Sequence, residues 1–339
     1  MSDPVRLAVV GAGSMGANHV RIAQQLPGAR LAAVVDQDLS RARSAVKSSS
    51  VEVVGSIAEL SVEIDAAVVA VPTSAHLPVA MELARRGVHL LVEKPLAATV
   101  SEAEDMVAAA QAAGVVLAVG HVERFNPAVF ELPRHIDNPI HFEASRISPY
   151  TARIGDGVIF DLMIHDIDIV CSLVGPDATV EHVAGVARAT KGPTEDLASV
   201  TMVFSTGETA VFNTSRLGQA KIRTLEITQA ESTLSVDLLR QDITISRMSQ
   251  YEYLSDEGAP RLRQSNVVEI PFLETRGEPL ARELADFVAA VRSGSSPHVD
   301  GATGVRAVAL AQRALLAVHT AQAAQGVVRG NHTEARTGA

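Results

Sequence analysis

The sequence has 339 residues, of which 47% are hydrophobic and 20% are charged, a composition typical of a globular protein with about two domains. The formal net charge of −10 at pH 7 argues against general binding to nucleic acid or to an anionic membrane surface. The single cysteine, Cys171, excludes an intrachain disulfide and fits a reducing compartment. No apolar run reaches the ~18 residues of a membrane span, and the start of the chain lacks a signal-peptide pattern. We therefore expect a cytoplasmic protein.

The first third of the chain alternates short, Val-rich apolar runs with helical patterns. Strands are predicted at residues 7–10, 31–35, 51–54, 66–71, 89–92 and 115–120. Helices are predicted between them at residues 14–26, 39–47, 75–86 and 99–113. Strands that alternate with helices form right-handed βαβ units with a parallel sheet covered on both faces. This pattern predicts an α/β, Rossmann-type dinucleotide-binding domain over residues 1–121.

The pattern changes after Gly120. A strongly apolar helix is predicted at 158–174, and Thr206-Gly207 is a turn pair between two predicted strands. The predicted strands are 140–147, 198–205, 208–215, 222–228, 232–237, 242–246 and 266–270, and the closing helices are 279–291 and 302–325. Residues 122–329 are therefore predicted to form an α+β domain with a mostly antiparallel open sheet, followed by a polar tail at 330–339. Because an antiparallel sheet often leaves one face for a partner, we expect a homodimer or homotetramer joined through it.

A glycine-rich turn follows the first predicted strand. The chain reads Gly-Ala-Gly-Ser-Met-Gly there, which matches G-x-G-x-x-G between a strand and a helix. Gly11 permits the tight turn, Gly13 lets the backbone approach a pyrophosphate, and Gly16 lets helix and strand pack closely. The pyrophosphate is expected at the helix N-terminus, against Ser14 and Met15.

An acidic residue ends the second predicted strand. Asp36 lies 20 residues after Gly16, where a carboxylate accepts hydrogen bonds from the adenosine ribose and repels a 2′-phosphate. NAD is therefore predicted in preference to NADP. Arg41 and Arg43 follow closely, and we interpret them as solvated charges on a helix.

The loop after the strand at 66–71 is a second candidate for cofactor contact. Loops at the carboxyl ends of parallel strands face the ligand crevice, so Pro72, Thr73 and His76 are predicted to contact the cofactor. The alternative is local: Ser74 caps a helix and His76 is only a residue of its first turn.

Glu93-Lys94-Pro95 ends the strand at 89–92, at the same edge of the sheet. Taken alone, it could be an exposed lysine before a turn-forming proline. A glycine-rich Rossmann half, then Glu-Lys-Pro, then a β-rich half resembles the Gfo/Idh/MocA oxidoreductases over nearly the whole chain. The resemblance implies that Lys94 is catalytic, and we place both Glu93 and Lys94 at the cofactor.

The predicted helix 158–174 carries the other candidate groups. At about 100° per residue, Asp161, His165 and Asp168 share one face, opposite the apolar residues. The family has an Asp, three residues, and then His-Asp in its second domain, and Asp161 and His165 match that pattern. Asp166 projects among the apolar positions, so we interpret it as a buried structural acid that needs backbone or arginine partners.

These groups suit the oxidation of a secondary alcohol. His165, with an ordinary imidazole pKa near about 6.5, can take the hydroxyl proton, while Asp161 orients the imidazole or binds a neighbouring hydroxyl. Lys94 can donate a hydrogen bond to the developing alkoxide, and the hydride goes to the nicotinamide. Either Lys94 or His165 could be the main acid/base. No metal site is predicted.

Two segments narrow the resemblance. Residues 121–127 and 160–169 together resemble a subgroup of the family that includes UDP-N-acetylglucosamine 3-dehydrogenases. The resemblance implies a sugar or nucleotide-sugar substrate. Arg124 and Asn126 are the predicted substrate contacts, with Arg124 directed to a phosphate or, alternatively, in an interdomain salt bridge.

A nucleotide-sugar site in an acidic chain needs local cations, and Arg146 and Arg153 are further candidates for contact with a phosphate.

Other interpretations use the same fold. An inositol 2-dehydrogenase or a free-sugar dehydrogenase would use the same catalytic groups on a neutral ligand. An NAD-dependent glycosidase or a non-catalytic NAD-binding regulator would keep the fold and change the function.

Overall fold

The computed structural model of the protein describes residues 3–151, 156–254, 260–274 and 276–334. The chain divides into two compact units. The first unit contains Met1–Phe125 and Gly277–Ala309, and the second contains Asn126–Arg276 and Leu310–Ala339. This division differs from the boundaries expected from the sequence because the chain returns to the first unit after residue 276.

A six-stranded sheet forms the centre of the first unit. Its strands are β1 (Val5–Val10), β2 (Ala29–Val35), β3 (Glu52–Val54), β4 (Ala66–Val69), β5 (His89–Glu93) and β6 (Leu117–Gly120). The spatial order is β3-β2-β1-β4-β5-β6, and every neighbouring pair is parallel. The order reverses between β1 and β4, which creates a crevice at the carboxyl ends of these strands. The predicted Rossmann-type α/β architecture is confirmed.

Helices connect these strands. They are α1 (Ser14–Ala23), α2 (Leu39–Ala45), α3 (His76–Arg85) and α4 (Val100–Ala113), with 3₁₀ turns at Ile57–Glu59, Thr73–Ala75 and Val122–Phe125. The start of α4 is fixed by a capping box, in which the Thr99 hydroxyl accepts from the Glu102 N–H and the Glu102 carboxylate accepts from the Thr99 N–H. Two otherwise unsatisfied donors at the helix start are thereby bonded.

The second unit is built on an eight-stranded sheet. Its helices are α5 (Pro127–Glu131) and α6 (Ile164–Val174), with a 3₁₀ turn at Leu132–Arg134 and a π-helical turn at Ile159–Met163. Its strands are β7 (Pro139–Ile147), β8 (Val180–Arg188), β9 (Leu197–Phe204), β10 (Thr209–Ser215), β11 (Ile222–Gln229), β12 (Thr233–Asp237), β13 (Asp242–Leu254) and β14 (Pro260–Glu269). The spatial order is β14-β13-β12-β11-β7-β10-β9-β8. The predicted mostly antiparallel sheet is confirmed, but β8 was not predicted, and β7 and β10 pair in parallel.

Side chains alternate across this sheet. Phe142 and Ala144 on β7 and Phe212 on β10 are fully buried on one face, and α6 packs against these two strands. Several apolar side chains of the same sheet are instead exposed: Ile140, Val186, Ile222, Met248, Val267 and Val268. Part of the sheet therefore presents apolar surface to solvent.

Two helices close the chain. The first, α7 (Pro279–Ser293), packs against α1 and β1 in the first unit. The second, α8 (Gly301–Glu334), begins in the first unit and continues into the second. It is longer than the predicted helix 302–325, so residues 330–334 of the expected tail are helical and residues 335–339 lie outside the described part. Among the described helices, none has both the length and the apolar composition needed to cross a membrane.

Candidate active site

The glycine turn after β1 requires glycine at two positions for steric reasons. Gly11 has φ = +93°, and a Cβ built on it would lie 2.4 Å from the Ala70 carbonyl oxygen. A Cβ at Gly16 would lie 1.8 Å from the carbonyl oxygen of Gly11, so Gly16 closes the turn on itself. At Gly13, a Cβ would meet no described atom within 4 Å. The space in front of Gly13 is therefore open, as the approach of a pyrophosphate requires.

A cavity of about 610 Å³ opens beside this turn, within the size range of ligand pockets. Its lining comes from the carboxyl ends of β1, β2 and β4 and the loops that follow them. The lining includes Gly11, Gly13, Asp36, Arg41, Pro72 and Ser74. Ser14 and Met15 are exposed at the start of α1. The structure thus brings four of the predicted cofactor residues, Gly11, Gly13, Asp36 and Pro72, to one cavity.

Asp36 is only 8% exposed, and its carboxylate accepts several hydrogen bonds. One carboxylate oxygen accepts from the Ala12 N–H at 2.6 Å, and the other accepts from the Asp38 N–H at 2.8 Å and from an Arg41 guanidinium nitrogen at 2.7 Å. Burial acts to raise the pKa of Asp36, but hydrogen bonds from Arg41, Ala12 and Asp38 outweigh it and hold that pKa below its ordinary value. Arg41 is therefore an ion-pair partner of Asp36, and its interpretation as a solvated helix charge is corrected.

His76 connects two loops. It is 1% exposed, and its Nε2 lies 3.0 Å from the Val71 carbonyl oxygen while its Nδ1 lies 3.0 Å from that of Pro95. Burial lowers the pKa of His76, against the opposing effect of its hydrogen bonds to the backbone carbonyls of Val71, Leu96 and Pro95. The imidazole therefore lies between the loop after β4 and the loop after β5, and its contact with the cofactor stays a prediction. Thr73 begins the 3₁₀ turn of the first of these loops.

Glu93 turns its carboxylate into the first unit. Its Oε1 lies 2.7 Å from His19 Nε2, and its Oε2 accepts from the Lys94 N–H at 3.3 Å. Glu283 on α7 completes this buried group. His19 and Glu283 were not predicted as site residues, although each is a polar residue on the buried apolar side of its helix. That pattern is the signal by which they could have been found.

Asp161 and His165 lie in the second unit, in and just after the π-helical turn. Both are partly exposed, and an Arg216 guanidinium nitrogen lies 3.4 Å from an Asp161 carboxylate oxygen. The same nitrogen donates to the Asp156 carbonyl oxygen at 2.7 Å. Arg216 follows β10 and is 3% exposed. It was not predicted as a partner of Asp161, because strand and helix patterns do not show that these two segments meet.

Asp161, His165 and Asp168 were expected to share one outward face of a helix, and the structure shows that this is wrong for Asp168. Asp168 is 2% exposed and is thus a buried residue of α6, whereas Asp161 and His165 are partly exposed. The π-helical turn separates Asp161 from the other two residues, which both lie in α6, and its i→i+5 hydrogen bonds wind the chain more slowly than the α-helix assumed from the sequence. The angular positions before and after the turn therefore do not follow one 3.6-residue period.

The prediction for Asp166 is confirmed. Its two carboxylate oxygens accept from Arg146 at 2.7 to 3.1 Å, and the residues are 3% and 2% exposed, respectively. Arg146 is thereby engaged in a buried bidentate ion pair. It is a structural partner and not a substrate-binding cation, which corrects that expectation. Arg153 lies outside the described residues.

The two predicted substrate residues differ in their surroundings. Asn126 is 2% exposed: its amide nitrogen donates to the Leu238 carbonyl oxygen at 2.9 Å, and its amide oxygen caps α5 by accepting from the Ala128 N–H at 3.1 Å. These bonds fix the Asn126 side chain at the start of α5, and its contact with a substrate stays a prediction. Arg124 is half-buried in the 3₁₀ turn of the first unit.

A parallel sheet with a reversed strand order, a glycine turn and an acid after its second strand defines a dinucleotide-binding domain. Residues 5–121 match the family model described as an oxidoreductase family with an NAD-binding Rossmann fold. Residues 150–325 match the C-terminal α/β domain of the same family. The chain belongs to the Gfo/Idh/MocA oxidoreductase family and is an NAD-dependent dehydrogenase.

Relatives extend over the whole chain. It is 31% identical over 316 residues to UDP-N-acetylglucosamine 3-dehydrogenase of Acidithiobacillus ferrooxidans, covering 93% of this chain and 97% of that one. A solved structure of that enzyme superposes with a TM-score of 0.82 over 94% of this chain and 99% of the other, at 30% identity. The chain is also 29% identical to scyllo-inositol 2-dehydrogenase (NAD(+)) of Bacillus subtilis, covering 88% and 90% of the two chains.

Proposed function

We propose that this dehydrogenase oxidises a ring hydroxyl of a nucleotide-activated amino sugar, with UDP-N-acetylglucosamine as the first candidate. The observation that carries the proposal is the full-length similarity to UDP-N-acetylglucosamine 3-dehydrogenase, in sequence and in fold. The second candidate is an inositol, because the similarity to scyllo-inositol 2-dehydrogenase also covers most of both chains. The two substrates differ in charge, since only the first carries a diphosphate.

The proposed chemistry assigns one role to each polar group. Bound NAD supplies the hydride acceptor. His165 takes the proton from the substrate hydroxyl, and Asp161, held in place by Arg216, orients the imidazole or accepts from a neighbouring hydroxyl. Lys94 donates a hydrogen bond to the oxygen on which charge develops. The alternative order, with Lys94 as the main acid/base, uses the same groups.

The cofactor roles follow the geometry of the first unit. The glycine turn and the exposed Ser14 and Met15 at the start of α1 would hold the pyrophosphate, because main-chain N–H groups and the helix dipole favour an anion there. Asp36 would accept hydrogen bonds from the adenosine ribose. Pro72 would line the cavity. Glu93 would hold the main chain of Lys94 through the hydrogen bond that its carboxylate accepts from the Lys94 N–H.

We also propose that the protein is a cytoplasmic homodimer or homotetramer joined through the sheet of the second unit. Support comes from exposed apolar side chains on that sheet, among them Met248 at 59% and Val267 at 54% exposure, because contiguous apolar surface favours association. Light scattering at micromolar concentration tests the proposal. A monomer there would contradict it.

The substrate assignment can be tested by following NADH absorbance with UDP-N-acetylglucosamine, UDP-glucose, myo-inositol, scyllo-inositol and glucose. We expect turnover with the UDP-sugars. Arg124→Ala should raise their KM by about 10- to 150-fold, from charge-assisted bonds of about 1.5–3 kcal/mol, whereas the exposed control Arg85→Ala should not. Turnover of inositols alone would replace the first candidate by the second. Sugar release without net NADH would indicate a glycosidase, and no reaction at all would favour a regulator.

A further inference from the structure

Three ionisable side chains meet in the interior of the first unit. His19 on α1, Glu93 at the end of β5 and Glu283 on α7 are 0%, 7% and 2% exposed, respectively. One nitrogen or carboxylate oxygen from each lies within 4.8 Å of the others. We call these three residues the buried triad. Because buried charges require partners, the distribution of protons among these groups has structural consequences.

Glu93 is held at both of its oxygens. His19 Nε2 contacts Oε1 at 2.7 Å, and the Lys94 N–H donates to Oε2 at 3.3 Å. Burial acts to raise the pKa of Glu93, but the hydrogen bond with His19 and the charge of Lys94 outweigh it and lower that pKa. Glu93 is therefore the anion of the triad. A Cβ at Gly120 would lie 3.0 Å from Oε2, so backbone closes the remaining side.

Glu283 has the opposite environment. Neither of its carboxyl oxygens has a hydrogen-bond partner among the described residues, although the residue is almost completely buried. Burial, then the charges of Glu93 and Asp286, raise the pKa of Glu283 well above its ordinary value of about 4.5. Two buried carboxylates at this separation cannot both ionise, and the proton remains on the one that lacks partners.

Other charged groups lie on the elements packed against α7. They are Arg6 on β1, His19 and Arg21 on α1, and Glu123 and Arg124 in the 3₁₀ turn. Arg6 and Arg21 have carboxylate partners of their own, Asp65 and Glu278. The negative charges of Glu93 and Asp286 oppose the ionisation of Glu283.

A metal ion is the alternative occupant, because imidazole and carboxylate are common ligands. The distance of 2.7 Å between His19 Nε2 and Glu93 Oε1 argues against it. Two ligands that each lie about 2.0–2.2 Å from a tetrahedral zinc ion are separated by more than this. The close contact fits a direct hydrogen bond between the two side chains.

We propose that Glu283 is a neutral carboxylic acid and that the buried triad is a positioning cluster for Lys94, with the Glu93 anion fixed between His19 and the Lys94 main chain. The positioning role rests on the proposed function of Lys94, whereas the neutral state of Glu283 does not. Because Gln has the shape of a protonated Glu and cannot ionise, Glu283→Gln separates the two states.

The first experiment measures urea unfolding of the full-length protein from pH 4 to 9. A raised folded-state pKa means that folding above the unfolded pKa requires proton uptake, so wild-type stability falls as pH rises towards the folded pKa. Between pH 4.5 and the folded-state pKa of Glu283, the stability of Glu283→Gln relative to wild type should rise by about tenfold in the unfolding equilibrium constant per pH unit. A constant loss caused by the substitution would not alter this slope. The exposed control Glu104→Gln should give no slope.

Two results would overturn the neutral state: a Glu283→Gln profile parallel to that of wild type, or a stoichiometric divalent metal in the purified protein that Glu283→Gln removes. The infrared spectrum provides a second measurement, since the carbonyl band of a protonated carboxyl should be present in wild type and absent in Glu283→Gln. None of these measurements needs a substrate, so failure of the proposed function would not be mistaken for failure here.

Steady-state kinetics test the positioning role. Glu283→Ala should lower kcat by at least about tenfold, because a small displacement of a catalytic group can cost up to about 10²-fold, with the dissociation constant for NAD unchanged. Glu283→Gln should restore wild-type kcat, because it keeps the neutral shape beside Glu93. Wild-type kcat in Glu283→Ala, or equal losses in both variants, would refute a positioning role for a neutral acid.

Discussion

Removal of the Asp36 carboxylate should narrow the preference for NAD over NADP. The side chain accepts from the Ala12 N–H of the glycine turn and from the Arg41 guanidinium, so Asp36→Ala has three effects. It removes the acceptor for the adenosine ribose, it removes the charge that repels a 2′-phosphate, and it releases Arg41 from its ion pair. The first effect weakens the binding of NAD, and the other two strengthen the binding of NADP.

The size of the effect follows from these contacts. A hydrogen bond to a charged group contributes about 1.5–3 kcal/mol, so loss of the ribose contact should weaken NAD binding by about 10- to 150-fold. NADP loses nothing comparable, because a carboxylate beside its 2′-phosphate is unfavourable. The ratio of the two dissociation constants should therefore fall by at least the same factor. Arg41→Ala should act in the opposite direction, because it leaves the Asp36 charge without its cation.

Calorimetry with both cofactors on wild type, Asp36→Ala and Arg41→Ala measures this ratio directly. Asp36→Asn separates charge from loop geometry, since its amide oxygen can still accept from the Ala12 N–H. Arg43→Ala, an exposed arginine on the same helix, is the matched control. Equal or tighter binding of NADP by the wild type, or an unchanged ratio in Asp36→Ala, would refute the reasoning.

Further predictions concern catalysis and stability. Lys94→Ala and His165→Ala should each lower kcat by about 10²–10⁴-fold with little change in NAD affinity; near wild-type kcat in His165→Ala would exclude it as the acid/base. Asp166→Asn should destabilise the fold by about 3–5 kcal/mol in urea unfolding, because it leaves the Arg146 charge buried and uncompensated. Replacing both partners by apolar residues should cost less than this single change, and an additive double variant would contradict the ion-pair account.

The local sequence predicted most of the architecture. Strand and helix periods indicated the parallel sheet of the first unit, and the turn at Thr206-Gly207 indicated the hairpin of β9 and β10. The β8 strand escaped prediction because its burial is irregular along its length. The parallel pairing of β7 with β10 depends on contacts between distant segments, which no short pattern contains.

The cofactor turn could be recognised from the sequence alone, because its glycine spacing lies within one short stretch of chain. The demand on Gly16 is local, whereas the close approach of Ala70 to Gly11 was visible only in the tertiary structure. The burial of Asp166 also followed from sequence, since an acid on an apolar helix face must find a backbone or arginine partner. Which partner it finds was decided only by tertiary structure, and the pairing with Arg146 removed a candidate substrate residue. The buried triad has the same origin: its members come from positions 19, 93 and 283, and only the packing of α1 and α7 around the end of β5 brings their charges close enough to determine which carboxyl keeps a proton.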